Sequence, residues 1–199
     1  MWQKNIKILE EKNPKLANSL KKNKKSNSND EKDFKLITAK NGSKTAKFFN
    51  KNKEIFLHSK YNPEKEAKRF TNNIQLDDID ALVVLGFGLG YHILEIYNKI
   101  KNENKKIFVL ETKIDIINEA LKLQDFSEMF KSDNFFLING ADFENNEIFN
   151  MIINKLDNSV FDDLNVISWK PLIKLDEEYY QEIVNQVAEI SNTLYQNKM

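Results

Sequence analysis

The sequence of 199 residues contains no cysteine, only five glycines and three prolines, and a single arginine, Arg69. Without cysteine the chain forms no disulfide and offers no thiolate nucleophile or cysteine metal ligand. Thirty basic residues balance thirty acidic ones, so the formal net charge is zero. This balance and the scarcity of arginine argue against nucleic-acid or anionic-membrane partners and against a bidentate arginine clamp for phosphate.

Long apolar runs are also missing. No stretch approaches the roughly 18 apolar residues that a transmembrane helix needs, and the N-terminus lacks the uninterrupted apolar segment of a signal peptide. Only two histidines are present, His58 and His92, and neither belongs to a metal-ligand motif. We therefore expect a cytoplasmic, soluble protein with no membrane insertion and no metal site.

Three of the five glycines lie together. Gly86, Gly88 and Gly90 alternate at the point where an apolar strand meets a helix. Such a turn needs positive φ or a close backbone approach, which a nucleotide-like ligand at a helix N-terminus would demand. The dinucleotide fingerprint requires glycine where this chain has Tyr91. The spacing is closer to the first motif of S-adenosylmethionine-dependent methyltransferases, although Val84 stands where those enzymes carry an acid.

Other side chains near the predicted strand ends complete a candidate ligand-binding set. Glu111 ends the next strand, where an acid accepts hydrogen bonds from ribose hydroxyls. Asp142 follows the third strand, and His92 lies in the first helical turn, where the helix dipole disfavours its protonation. Trp169 and a neighbouring lysine follow the fourth strand. Each of these residues also fits a purely structural role, in a cap, a turn or the core, and no catalytic set is recognisable.

The N-terminal third predicts helices followed by a small antiparallel meander. Apolar spacing over residues 2–22 indicates two short helices, or one helix kinked at Pro14. The polar run 21–32 predicts a linker or loop. Asn41-Gly42 lies in the first gap between three strand-like stretches and is a strong hairpin signal. The three stretches are 34–39, 45–50 and 54–59. Asn62 and Pro63 then predict the N-cap and first residue of a helix that extends to about Asn73.

Strands and helices alternate over the remainder of the chain. Predicted strands occupy 81–85, 106–111, 134–139 and 165–168, and predicted helices occupy 91–101, 114–123 and 145–156. This alternation predicts an α/β fold with a doubly wound, mainly parallel, Rossmann-like sheet. We expect residues 1–76 to form an N-terminal segment and residues 77–199 the α/β domain, which ends in a long helix after Asp176. The missing C-cap signal in that helix predicts a fragment of a larger protein.

Two motifs at this spacing resemble the motility accessory factor family, bacterial proteins implicated in flagellin glycosylation. The first runs from His58 through Ser59-Lys60-Tyr61-Asn62-Pro63 to Glu66-Ala67, with Asn62 where the family usually has Asp. The second is Gly86-Phe87-Gly88-Leu89-Gly90-Tyr91-His92. The resemblance covers roughly residues 34–170 and implies the N-terminal Rossmann-like domain of a larger glycosyltransferase, without its catalytic domain.

The resemblance implies an accessory role rather than chemistry within this chain. Family members are similar to transferases that place nonulosonic acids, of the pseudaminic or legionaminic type, from CMP-activated donors onto Ser and Thr of flagellin. The implied partners are flagellin and the remainder of the same polypeptide. No catalytic residue is carried over. A pocket lined by Gly86, Gly88, Gly90, Tyr91, His92 and Glu111 is carried over, but its ligand is not established.

Two alternatives stay open at this stage. The glycine turn and Glu111 also fit a methyltransferase-like domain that binds S-adenosylmethionine or a nucleotide. A third interpretation is purely structural, with a Rossmann-like scaffold that self-associates through its C-terminal helix or its meander.

Overall fold

The computed structural model describes residues 1–26, 33–50, 53–140, 150–152, 154–155 and 164–196. Within them lie a three-stranded antiparallel sheet and a four-stranded parallel sheet with flanking helices. The predicted fold class is therefore confirmed. None of the described helices is long and apolar enough to cross a membrane.

Two helices begin the chain, α1 (Trp2–Lys12) and α2 (Pro14–Ser26), and proline starts the second as predicted. The prediction of a linker from residue 21 was wrong as far as Ser26, because α2 continues to that point. The physical reason is a tertiary contact with helix α5 (Ile114–Leu123). The side-chain amide of Asn118 in α5 donates to the Leu20 carbonyl at 3.1 Å and to Asn23 Oδ1 at 2.8 Å. Residues 27–32 lie outside the described residues.

The meander consists of β1 (Phe34–Thr38), β2 (Lys44–Asn50) and β3 (Lys53–Phe56), paired in that order. Gly42 has φ +92° in the first connection, which confirms the hairpin predicted from Asn41-Gly42. A left-handed residue in a short connection matches the right-handed twist of the flanking strands.

Helix α3 (Pro63–Asn72) follows with the predicted cap. The Asn62 side-chain oxygen accepts the N–H of Lys65 at 2.8 Å, and Pro63 occupies the first turn, where its missing N–H costs nothing. Asn62 therefore caps the helix as an Asp at this position would, since either side chain supplies the acceptor.

The parallel sheet contains β4 (Ala81–Leu85), β5 (Lys106–Glu111), β6 (Phe135–Asn139) and β7 (Leu164–Ser168), in the order β6-β5-β4-β7. The described helices after α3 are α4 (Tyr91–Ile100), α5, α6 (Ser127–Lys131), α7 (Lys170–Ile173) and α8 (Glu177–Gln196). Residues 150–152 and 154–155 are helical, within the predicted helix 145–156. The sequence did not predict α6 and α7, because one or two turns are too short to show helical periodicity.

Alternate residues of the parallel strands face two separate cores. Leu82 and Val84 of β4 join a cluster with apolar residues of α1, α2, α4 and α5. Ala81, Val83 and Leu85 face the opposite side, where α8 contributes buried residues. Helices therefore cover both faces, as a doubly wound sheet requires. The first core crosses the division expected at residue 76, and that division stays a prediction.

A third cluster joins the meander and α3 to the carboxyl end of the parallel sheet. Phe48 and Leu57 of the meander region and Ala67 of α3 pack in it with Leu89 and Trp169. This junction positions the candidate site.

Candidate functional site

The glycine turn lies where the strand order of the parallel sheet reverses. β5 and β6 lie on one side of β4, and β7 lies on the other. The Gly86 N–H donates to the Leu110 carbonyl at 2.7 Å, and the Trp169 N–H donates to the Leu85 carbonyl at 2.8 Å. The carboxyl ends of β4, β5 and β7 therefore meet at the topological switch point, where open α/β sheets bind their ligands.

All three glycines of the turn have positive φ, at +100°, +56° and +81° for Gly86, Gly88 and Gly90. The prediction of left-handed backbone here is therefore confirmed. The close approach to each glycine is made by the chain's own side chains. A Cβ at Gly86 would lie 2.8 Å from Leu172 Cδ1, and one at Gly88 would lie 2.9 Å from His58 Nε2.

The backbone N–H groups of the turn also donate hydrogen bonds to side chains of the same chain. The N–H groups of Phe87 and Gly88 both donate to Glu111 Oε2 at 3.1 Å. The next N–H, of Leu89, donates to His58 Nε2 at 3.0 Å. Successive N–H groups of this kind form the usual anion-binding cradle at a helix N-terminus. Here the cradle holds a glutamate of the same chain.

Glu111 is fully buried, and its second oxygen, Oε1, accepts the N–H of Lys113 at 2.9 Å. Burial raises the pKa of Glu111 to about 7, although the hydrogen bonds from Lys113, Gly88 and Phe87 act in the opposite direction. From the sequence, this carboxylate was a candidate acceptor for ribose hydroxyls or a structural cap. In the structure both of its oxygens are bonded to backbone of the same chain.

The two histidines meet beneath the turn in opposite tautomers. His92 Nε2 donates to the Gly86 carbonyl at 2.9 Å, and its ring stacks on Trp169 at 4.2 Å and 10°. His58 Nε2 accepts a hydrogen bond, so its proton lies on Nδ1, 3.9 Å from Glu66 Oε2. Burial lowers the pKa of His92 to about 4, and burial together with nearby His92 holds the pKa of His58 well below its usual range.

The predicted site residues meet in this region with one exception. Gly86, Gly88, Gly90, His92 and Glu111 form the turn and its hydrogen-bonded surroundings. The sixth, Tyr91, packs edge-on against His58 at 5.1 Å, and its hydroxyl donates to the Lys44 carbonyl at 2.8 Å. Asp142 lies outside the described residues. Ligand binding by these residues stays a prediction.

Sequence reasoning did not anticipate the residues that fill the turn. His58 precedes the glycines by about thirty positions, and the only signal for it was its place in the first family motif. Phe126, whose ring lies against Gly90, had no signal at all. Among the described residues, no group of three or more His, Asp or Glu side chains is placed to hold a metal ion.

Because His92 resists protonation in the folded state, we expect a specific pH dependence. A His with a lowered pKa contributes stability that is present above the unfolded value of about 6.5 and is lost as the pH falls toward 4. From pH 7.5 to 5.0 the wild type should lose about 2 kcal/mol more free energy of unfolding than His92→Gln. Urea denaturation of both proteins at both pH values measures this.

The variant is the control for other titrating groups, including His58, because burial, the largest cause of its lowered pKa, is present in both proteins. Glu111, whose raised pKa changes stability in the opposite direction over the same range, is present in both proteins and cancels in the comparison. Parallel pH profiles for the two proteins would show that His92 is not held neutral.

The fold and the site define a class: a doubly wound α/β domain whose glycine turn lies at the topological switch point. The chain belongs to the family described as the glycosyltransferase Maf N-terminal domain, whose model matches residues 31–135. The family predicted from the two motifs is therefore confirmed. No curated protein matches the chain.

A solved structure shows the same fold. The chain is similar to the structure of the Maf glycosyltransferase from Magnetospirillum magneticum AMB-1, with a TM-score of 0.61 and 13% sequence identity. The match covers 92% of this chain and 34% of that chain, so this chain spans about a third of that protein's length.

Proposed function

We propose that the chain is a non-catalytic part of a motility-associated glycosyltransferase and that it holds or orients the acceptor protein, flagellin. In this proposal another part of the enzyme transfers a nonulosonic acid, of the pseudaminic or legionaminic type, from a CMP-activated donor to flagellin Ser or Thr. The remainder of the same polypeptide is the second proposed partner, and the reaction takes place in the cytoplasm.

The family match carries this proposal. Residues 31–135 match a family defined as the N-terminal domain of a glycosyltransferase. The solved Maf glycosyltransferase is a longer protein, of which this chain covers 34%. About two thirds of that protein lies outside the match, which leaves room for a separate catalytic part and supports the non-catalytic role proposed for this chain.

The hydrogen bonds and side chains at the glycine turn support a role in stabilising the fold rather than in binding a ligand. Glu111 and His58 take the N–H groups of residues 87–89, and side chains fill the space beside Gly86 and Gly88. The residues present do not fit S-adenosylmethionine or another nucleotide at this turn in the conformation described. The turn instead joins the meander and α3 to the parallel sheet.

Binding and transfer assays with flagellin of the same organism test the proposal. The purified chain should bind flagellin by calorimetry, and it should transfer no sugar from CMP-activated pseudaminic or legionaminic acid. The full-length enzyme is the positive control for transfer. Sugar transfer by this chain alone would contradict the non-catalytic role, and absence of flagellin binding would contradict the acceptor-holding role.

A further inference from the structure

A groove follows the exposed face of α3. One part, of about 560 Å³, lies between Tyr61 and Asn73 along the helix. A second part, of about 370 Å³, extends to Trp169 and Pro171 at the carboxyl end of β7. The two parts share Glu66, Arg69 and Asn73, so they form one continuous surface.

Positive charge dominates the lining of this groove. Lys65, Lys68 and Arg69 line the first part, and Lys170 lines the second, and all four side chains are exposed. Arg69 is the only arginine of the chain, and its charge acts on the neighbouring Glu66, where it lowers the carboxyl pKa against the larger effect of burial. In a protein of zero net charge, four cations in one groove attract an anionic partner.

The nearby acids do not cancel this charge. Glu66 is the one acid in the lining; it is half-buried, accepts the Ser59 N–H at 2.7 Å, and burial raises its pKa. Glu64 of the same helix turns to the hairpin, where its carboxylate binds Ser43 and, at 2.7 Å, the side-chain amide of Asn41. The cations therefore face the groove with a single, partly shielded carboxylate among them.

The end of the groove near β7 includes apolar side chains, Phe70 and Pro171, with the buried Trp169 behind them. Trp169 is 3% exposed, and its indole N–H donates to the Leu57 carbonyl at 2.7 Å. Phe70 packs edge-on against Trp169 at 4.9 Å and lines the groove beside Pro171. The part-exposed side chains of Phe70 and Pro171, next to exposed cations, suit a partner with both apolar and acidic side chains.

We propose that this groove binds an extended acidic peptide segment that carries apolar side chains, supplied by the acceptor protein. The inference rests on the proposed function, because the acceptor is the macromolecule that the domain is proposed to hold. The length fits: α3 has ten residues, which span about 15 Å, and an extended peptide of about five residues covers that distance. The cations pair with its carboxylates, and the part-exposed Phe70 and Pro171 contact its apolar side chains.

Two probes test the groove, flagellin and a labelled hexapeptide of alternating aspartate and leucine. The double variant Lys65→Glu with Arg69→Glu should weaken binding of both probes at least about tenfold. The matched control, Lys99→Glu with Lys131→Glu, makes the same charge change on exposed lysines of α4 and α6 and should bind both probes within about twofold of wild type. Circular dichroism establishes that all three proteins are folded.

The outcomes separate this inference from the proposed function. If wild type and the groove variant bind flagellin equally, the groove assignment is wrong and the acceptor-holding role stands. If wild type binds the peptide but not flagellin, the acceptor-holding role is wrong. Equal binding of the aspartate peptide and its asparagine counterpart overturns the acidic specificity, and equal binding of free N-acetylneuraminic acid overturns the peptide assignment.

Discussion

Gly90→Ala should lower the free energy of unfolding by about 2–5 kcal/mol, because two costs combine at this residue. Gly90 has φ +81°, a conformation that costs an L-residue about 1–2 kcal/mol. A methyl group there would also overlap the ring of Phe126, which is fully buried and unable to move freely. Overpacking of a buried site costs about 1–3 kcal/mol more.

Gly42→Ala is the matched control, because it imposes the strain without the overlap. Gly42 has φ +92°, and a Cβ there would meet nothing within 4 Å. Its expected loss is therefore about 1–2 kcal/mol. Urea denaturation of both variants measures the difference, and the double variant Gly90→Ala with Phe126→Leu should recover part of the loss through a favourable coupling energy. Equal losses for the two alanine variants would show that Phe126 does not fill the turn.

Glu111→Ala should cost about 3–5 kcal/mol, because it leaves the buried N–H groups of Phe87 and Gly88 and the part-buried N–H of Lys113 without an acceptor. Glu111→Gln keeps one acceptor oxygen and should lose less. The side-chain amide nitrogen of the glutamine, however, cannot accept the backbone N–H that the second carboxylate oxygen of Glu111 accepts. The expected order of stability is wild type, then Glu111→Gln, then Glu111→Ala, as measured by thermal and chemical unfolding. Glu178→Gln, on the exposed start of α8, is the control and should stay within about 0.5 kcal/mol of wild type.

The difference in stability between wild type and Glu111→Gln should also depend on pH, in a direction that follows from the pKa of Glu111. The raised pKa of Glu111 contributes stability that is fully present below the unfolded value of about 4.5 and is lost as the pH rises through about 7. The deficit of Glu111→Gln relative to wild type should therefore be smaller at pH 8 than at pH 5. A deficit that grows with pH would show that the buried carboxyl is held ionised.

The strands and turns were predictable because their signals are local. The apolar run of β4 and the Asn41-Gly42 hairpin identify structure within a few residues, and the structure reproduces the bounds of β4 and β5. The extension of α2 to Ser26 was not predictable, because its polar sequence is stabilised by Asn118 of α5. A contact between residues nearly a hundred positions apart cannot be predicted from local composition.

The side chains that lie against the glycine turn could not be predicted from the sequence, for the same reason. Alternating glycines indicate close approach of something to the backbone, but the pattern is the same whether a ligand or a side chain makes the approach. His58 comes from the end of the meander, and Glu111 comes from the end of β5. Only the assembled sheet brings them to the turn.

An NMR titration of the ¹⁵N-labelled chain with CMP and with S-adenosylmethionine tests the central claim most directly. If the turn serves the fold, the amide resonances of Phe87, Gly88 and Leu89 should not shift at millimolar concentrations of either compound, because their N–H groups are already bonded to Glu111 and His58. Saturable shifts at these three amides with either compound would contradict the claim and identify the turn as a ligand-binding site.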